Sequence, residues 1–202
     1  MFATDGESNY DKVSKDLLAI FHETGAGRNA FFLGGGVDGD AASIPLFGQL
    51  CRIEGDGVYR EGGKLDAVGS ILILRYVLTG GNAPLAGVWT PYRDLKDGAQ
   101  FAAYIKAHIA DKVAATFSGK AGLLGERLEA LGGRSYDGDM RADVAMVVHP
   151  LPRVPVLCLF WDRDAEFEAG FRFLFDGSAP AYLDLEALAV ALQYIYVKAV
   201  ES

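Results

Sequence analysis

Residues 138–183, GDMRADVAMVVHPLPRVPVLCLFWDRDAEFEAGFRFLFDGSAPAYL, decide the fold. Three apolar or alternating runs stand in this stretch: Ala142 to Val148, Val154 to Trp161 and Gly170 to Phe175. A proline-rich turn separates the first pair and an acidic turn the second. Runs of this length between such turns read as consecutive antiparallel strands. A helical pattern from Leu183 to Val200 follows and closes the fold.

Working outward to the N-terminus, Asn9 to Thr24 carries Val13, Leu17, Leu18, Ile20 and Phe21 at helical spacing, with Gly25 as a stop. Ala30 to Leu33 reads as a short strand and the glycine-rich run after it as a flexible surface loop. PLFGQLCRIE and GVYREGG, on either side of Gly55-Asp56-Gly57, predict a hairpin that turns at the Asp-Gly step. Lys64 to Thr79 has helical period and an apolar second half, which predicts a central helix with little exposed surface. Gly80 to Leu95 reads as a loop. Asp97 to Phe117 and Lys120 to Leu131 read as two helices parted near Gly119 and ended by Gly132-Gly133. Helices and strands come in blocks, so the expected class is α+β: mostly antiparallel sheet, made of an N-terminal hairpin and a C-terminal three-strand meander, under about five helices. At 202 residues a single domain, residues 1–202, is expected, with residues 1–8 as a disordered tail.

Composition narrows the partners. The chain carries 27 Asp plus Glu against 19 Lys plus Arg, a net charge of -8, which disfavours a nonspecific grip on nucleic acid. No run reaches the roughly 20 apolar residues that span a bilayer, and MFATDGESNY lacks the pattern of a secretion signal, so no membrane partner and a cytoplasmic location are expected. Cys51 and Cys158 sit among apolar neighbours and read as buried free thiols.

Several motifs invite chemistry and then lose it. Gly34 to Gly39 matches the spacing of a dinucleotide-binding loop, but Pro45 and a strand pattern follow where a helix is needed, and Asp38 and Asp40 would repel phosphate. Asp137, Asp139 and Asp143 form one acidic cluster, and Asp162, Asp164, Glu166 and Glu168 another. In an extended chain the second would aim its four carboxylates to one side. Neither has calcium-loop spacing, and solvated turns explain both; no metal ligand is assigned. The second keeps more interest because Trp161 and Phe167 flank it, and apolar walls raise carboxylate pKa values. His22, His108 and His149 show no zinc spacing. A turn at Pro150-Leu151-Pro152 would expose His149 near the acidic cluster. No serine or cysteine has the surroundings of a nucleophile, and no catalytic residue is assigned.

The loop Pro84 to Leu95 places Trp89, Tyr92 and Arg93 close together, a combination able to grip planar or carboxylate-bearing ligands. Arg60, beside Glu61, could extend the same wall. The candidate binding site is therefore a cleft between this loop and the Trp161 to Glu168 turn, formed by Arg60, Trp89, Tyr92, Arg93, His149, Trp161, Asp164 and Glu166. The competing reading plugs Trp89 into the core and pairs Arg93 with Asp94 or Asp97. The cleft requires both segments on one face of the fold.

REGG, the apolar helix, PLAGVWTPYRDLKDGAQF, LEALGG, DGDMRADV, HPLPRVPVLCLFWDRDAEF and FRFLFDGSAPAYLDLEAL occur in this order. Together they resemble domain-of-unknown-function family 3786, found mainly in anaerobic bacteria and archaea. Trp89 to Leu95 and Pro152 to Asp176 are the most specific pieces. The resemblance implies no established activity. Some relatives carry an extra cysteine-rich module similar to the iron-sulfur domain of corrinoid proteins; no cysteine precedes Cys51 here, so such a cluster lacks ligands in that region. The resemblance thus implies a non-catalytic ligand- or cofactor-binding accessory module in anaerobic metabolism, serving a partner enzyme, with the cofactor unknown. Two other classes stand beside it. One is a small-molecule enzyme using Asp164 and Glu166, with or without a divalent cation. The other is a homo-oligomeric interaction domain that buries the apolar stretches Pro84 to Trp89 and Leu151 to Val156.

Overall fold

The computed structural model describes residues 8–38 and 41–201. The first helix, α1 (Asn9–Thr24), follows the sequence pattern because both ends are chemically closed. Ser8 and Asp11 form a reciprocal capping box, and Gly25 ends the helix at φ 60°. Ser8, the last residue of the expected tail, is thus the cap; the rest of that tail lies outside the described residues.

The stretch expected as a strand at Ala30 to Leu33 is instead a single helical turn, α2 (Asn29–Phe32). The cause is non-local. The Asn29 Nδ2 donates to Val77 O at 2.9 Å, and Gly35 N donates back to Ala30 O at 2.8 Å, which curls the chain tightly. Phe31 and Phe32 are left 70% and 69% exposed.

Five strands then meander in order into one antiparallel sheet: β1 (Gly36–Asp38), β2 (Ala41–Leu46), β3 (Gln49–Glu54), β4 (Gly57–Arg60) and β5 (Gly63–Lys64). Part of the glycine run expected as a loop therefore pairs as β1, while Gly39 and Asp40 lie outside the described residues. The predicted hairpin is β3–β4, where Glu54 faces Gly57 across a two-residue turn at Gly55-Asp56. A second tight turn joins β2 to β3 through Phe47 and Gly48, both at positive φ (50° and 76°), which suits the right-handed twist of a hairpin. From this turn Phe47 N donates to Pro150 O at 3.1 Å, tying the first sheet to the second.

The central helix α3 (Ala67–Thr79) begins three residues later than its pattern, because Gly63 and Lys64 pair with β4 and Asp66 accepts from Gly69 N as the cap. Gly69 through Leu74, Tyr76 and Val77 are buried, as expected for the helix around which the core is arranged. The Tyr76 hydroxyl, buried among them, donates to Leu33 O and accepts from Arg153 N.

A loop and the short strand β6 (Trp89–Pro91) lead to one long helical passage: α4 (Ala99–Ile105), a wider π turn over Lys106–Ala110, and α5 (Asp111–Phe117). It is followed by α6 (Ala121–Ala130) and the two-residue strand β7 (Arg134–Ser135). The meander read from the sequence is β8 (Val144–Leu151), β9 (Val154–Trp161) and β10 (Gly170–Asp176), and α7 (Leu185–Glu201) closes the chain with Asp184 accepting from Ala187 N. The second sheet has the order β6-β10-β9-β8-β7, all neighbours antiparallel. Strand β9 is buried on both faces, which is why its sequence is continuously apolar rather than alternating. Inward, Val154, Val156, Cys158 and Phe160 join a single cluster with the helices and the first sheet. Outward, Leu157, Leu159 and Leu174 form a second, smaller cluster. Both cysteines are buried free thiols, and burial pushes both pKa values up. Among the described residues no helix is long and apolar enough to cross a membrane.

Candidate functional site

The outer face of the second sheet carries both tryptophans of the chain. Trp89 on β6 lies opposite Asp176, and Trp161 at the end of β9 lies opposite Gly170. Both side chains pack against the Leu157, Leu159 and Leu174 cluster. Six residue steps of β10 separate the two positions, roughly 20 Å of strand. The expected loop and turn therefore share a face, but as its two ends.

Between them the chain from Tyr136 to Asp143, the irregular passage from β7 to β8, lies over the sheet face as a strap. Its side chains Tyr136, Met140 and Ala142 cover the leucines, and Tyr136 meets the Trp89 ring edge-on with centroids 6.1 Å apart. Tyr136 N donates to Ala145 O at 2.9 Å, the Trp161 indole Nε1 donates to Arg141 O at 2.9 Å, and Asp162 N donates to the Asp143 carboxylate at 2.7 Å. On its other side Trp161 carries the Arg172 guanidinium, 5.5 Å from its ring.

The loop before Trp89 is held quite differently. Asp176, only 4% exposed at the end of β10, accepts from Ala86 N, Gly87 N, Ser178 N and the Ser178 hydroxyl at 2.5–2.9 Å. Burial raises its pKa, but the Ser178 hydroxyl and these amides outweigh burial and hold the carboxyl below the usual aspartate value. Tyr182 donates to Ala83 O, and Gly177 N to Val88 O. Leu85 and Val88 project from this pinned loop at 44% and 61% exposure. Sequence reading missed the role of Asp176. Its signal was the Asp-Gly-Ser turn directly after an apolar strand, where a carboxylate accepts local amides.

The remaining expected residues do not converge. Tyr92 points inward, buried, with its hydroxyl donating to Leu185 O at 2.6 Å; burial, then the Asp184 charge, pushes its pKa up to about 12. Arg93 pairs with Asp94 at 3.4 Å, as the competing reading had it. Arg60 belongs to the other sheet, where it donates to Gln49 Oε1 at 3.4 Å. His149 is exposed, but five steps along β8 from Val144 carry it away from the Trp161 end of the sheet, roughly 17 Å. Desolvation and then the Arg134 charge lower its pKa.

The acidic turn is not extended, so its carboxylates do not line up. Asp164 N donates to Phe167 O, and the Asp164 carboxylate takes both Glu166 N and Phe167 N at 2.8 Å. Asp162 caps the start of α6 by accepting from Gly119 N and Ala121 N, and also takes Arg163 N. Amide donors hold both carboxyls below the ordinary aspartate range. Glu166 and Phe167 are exposed beyond them. Among the described residues no three His, Cys, Asp or Glu side chains are grouped to hold a metal ion. Beside the turn, α6 and β8 bound an open groove of about 360 Å³ lined by Gly122, Gly125, Ser135 and Asp143.

A family profile described as "Domain of unknown function (DUF3786)" matches residues 29–197. No curated protein and no solved structure matches the chain.

Proposed function

The chain belongs to the DUF3786 family of domains of unknown function, and from the geometry we propose that it is a non-catalytic binding module whose ligand, in whole or part an extended apolar or planar group, lies on the outer face of the second sheet between Trp89 and Trp161. One observation carries this reading: three leucines and two tryptophans line a sheet face whose cover is an irregular strap rather than a layer of helix. Aromatic rings at both ends of an apolar strip suit contact by area more than by charge. The setting in anaerobic metabolism rests on the sequence resemblance alone.

The alternative use of Asp164 and Glu166 as acid and base finds less support. A general acid at neutral pH needs a raised pKa, whereas Asp164 is lowered by the amides it accepts. The interaction-domain reading keeps one half of its surface. Leu151, Val154 and Val156 are interior, while Leu85 and Val88 stand out on the pinned loop.

The test is anaerobic purification from an anaerobic host, followed by native mass and visible spectrum. A bound species retained by the wild type and lost from Trp89→Ala and Trp161→Ala is the expected result. Recovery of the chain at its own mass, or retention of the species by both variants, overturns the proposal.

A further inference from the structure

We infer that the part of the strap beyond β7, Tyr136–Asp143, is a lid over this face, tethered by β7 at one end and β8 at the other and latched at the Trp161 end, so that the apolar strip beneath is uncovered without unfolding the sheet. The inference rests on the binding reading above and concerns how the same site is regulated.

Four features carry it. First, the moving part is an irregular passage between fixed anchors: β7 before it is paired with β8, and Gly132-Gly133 before β7 is the closed C-cap of α6, with Gly132 N donating to Glu129 O and Gly133 N to Leu128 O. Second, the attachment is sparse. Beyond β7 the strap is fastened by Tyr136 N to Ala145 O at one end and by the Arg141–Trp161 and Asp143–Asp162 contacts at the other. Asp137, Asp139 and Arg141 are exposed, and Tyr136, Met140 and Ala142 are only half-buried. Segments with few buried contacts and exposed backbone open locally at free energies far below that of global unfolding.

Third, charge opposes closure. The latch sets the Asp143 carboxylate on Asp162 N at the start of the turn that carries Asp162, Asp164, Glu166 and Glu168 with Arg163, and the lid itself carries Asp137 and Asp139 as well, against Arg141. Acids that outnumber bases across a contact repel at ordinary ionic strength. Fourth, the sheet does not depend on the strap. Strands β8, β9 and β10 are joined by their own ladders, and their inner face is packed on the helical core, so lifting the strap leaves the larger cluster intact.

The two native cysteines provide an internal clock. Cys158 lies on β9 with its side chain in the inner cluster, and Cys51 is in the first sheet; both are fully buried. They become reactive only when the core opens. Leu174 on β10 is buried in the outer cluster against which the strap side chains pack, so a thiol placed there by Leu174→Cys reacts when that cover lifts.

Iodoacetamide alkylation under native conditions, read by peptide mass, compares the introduced thiol with Cys158 in the same molecule. The expected result is modification of the introduced thiol about 100-fold faster than Cys158. Trp161→Phe, which keeps the ring but removes the indole donor, raises the introduced thiol's rate several-fold and leaves Cys158 unchanged. Equal rates for the two thiols overturn the inference, as does insensitivity to Trp161→Phe. Should Leu174→Cys loosen the core, Cys158 itself reports it by fast alkylation, and Leu159→Cys repeats the test from the neighbouring strand. A lid that fails to open leaves the co-purification result untouched, so the two proposals fail separately.

Discussion

Two irregular segments border the second sheet, and they are built on opposite principles. The loop Ala83 to Val88 is pinned from below by one buried carboxylate that accepts four hydrogen bonds, so its backbone is fixed although Leu85 and Val88 stand in solvent. The strap Tyr136–Asp143 covers leucines with its side chains, while its backbone is fastened near its two ends. Exposure of side chains is therefore a poor guide to mobility here. What decides is where backbone donors find acceptors that water cannot replace.

The largest expected effect follows from removing the pin. Asp176→Ala leaves Ala86 N, Gly87 N, Ser178 N and the Ser178 hydroxyl without their acceptor in a buried site. Orphaned buried donors cost about 1–3 kcal/mol each when water cannot reach them; with partial rewetting of the loop, a total loss of about 3–4 kcal/mol is expected. Urea unfolding measures it. A loss under about 1 kcal/mol would show that the loop is not held by this carboxylate, and the contrast with the strap would collapse.

A milder substitution sharpens the point through pH. Asp176→Asn keeps an acceptor but loses the charge, and about 1–2 kcal/mol of destabilisation is expected near pH 7. The folded pKa of Asp176 is depressed, so its stabilisation is complete above the ordinary aspartate value of 3.8 and is lost as pH falls through the lower folded value. The gap between wild type and variant should therefore close below about pH 4. Urea midpoints at pH 7, 5 and 3 give the answer, and a gap independent of pH would mean that shape rather than charge holds the loop.

On the strap the effects should be smaller. Met140 is half-buried against the outer leucines, so Met140→Ala removes only part of a side chain's burial, about 1 kcal/mol or less. Its distinctive sign is kinetic: exchange at strap amides should quicken while that at Ala86 and Gly87 stays slow. Uniform acceleration across both segments would make them one cooperative unit.

How much of this was legible depended on how local the cause was. Helices α1 and α3 and strands β8 to β10 carry their own period, caps and turn residues, so their sequences suffice. Edge strands β1, β6 and β7 are two or three residues long and exist because a neighbour offers a ladder, for which no period is available. Ala30 to Leu33 suits helix or strand equally, and Asn29 bonding to Val77, 48 positions away, selects helix. At the site, Trp89 and Trp161 could be suspected of sharing a face, but the β10 register that puts six steps between them is not written in either segment. Tyr92 is assigned by its place in the loop beside Trp89, and Arg60, with Glu61, as an extension of that wall. Their direction is fixed by the inward packing of Tyr92 on Leu185 and by the separation of the two sheets.

The smallest effect is expected at the residue that looked most chemical. Asp164 is exposed, and its carboxylate is occupied by the amides of Glu166 and Phe167 within its own turn. An asparagine keeps an acceptor oxygen in the same place and suits such turns equally well. Asp164→Asn should therefore shift the melting temperature by less than about 2 °C. It should also slightly ease closure of the strap, since one charge leaves the acidic side of the latch. Slower alkylation of the Leu174→Cys thiol in this background, with Cys158 unmoved, would tie the acidic turn to the strap. An unchanged rate would leave the turn a local structure of β9 and β10 and place the latch wholly in the indole of Trp161 and the carboxylate of Asp143.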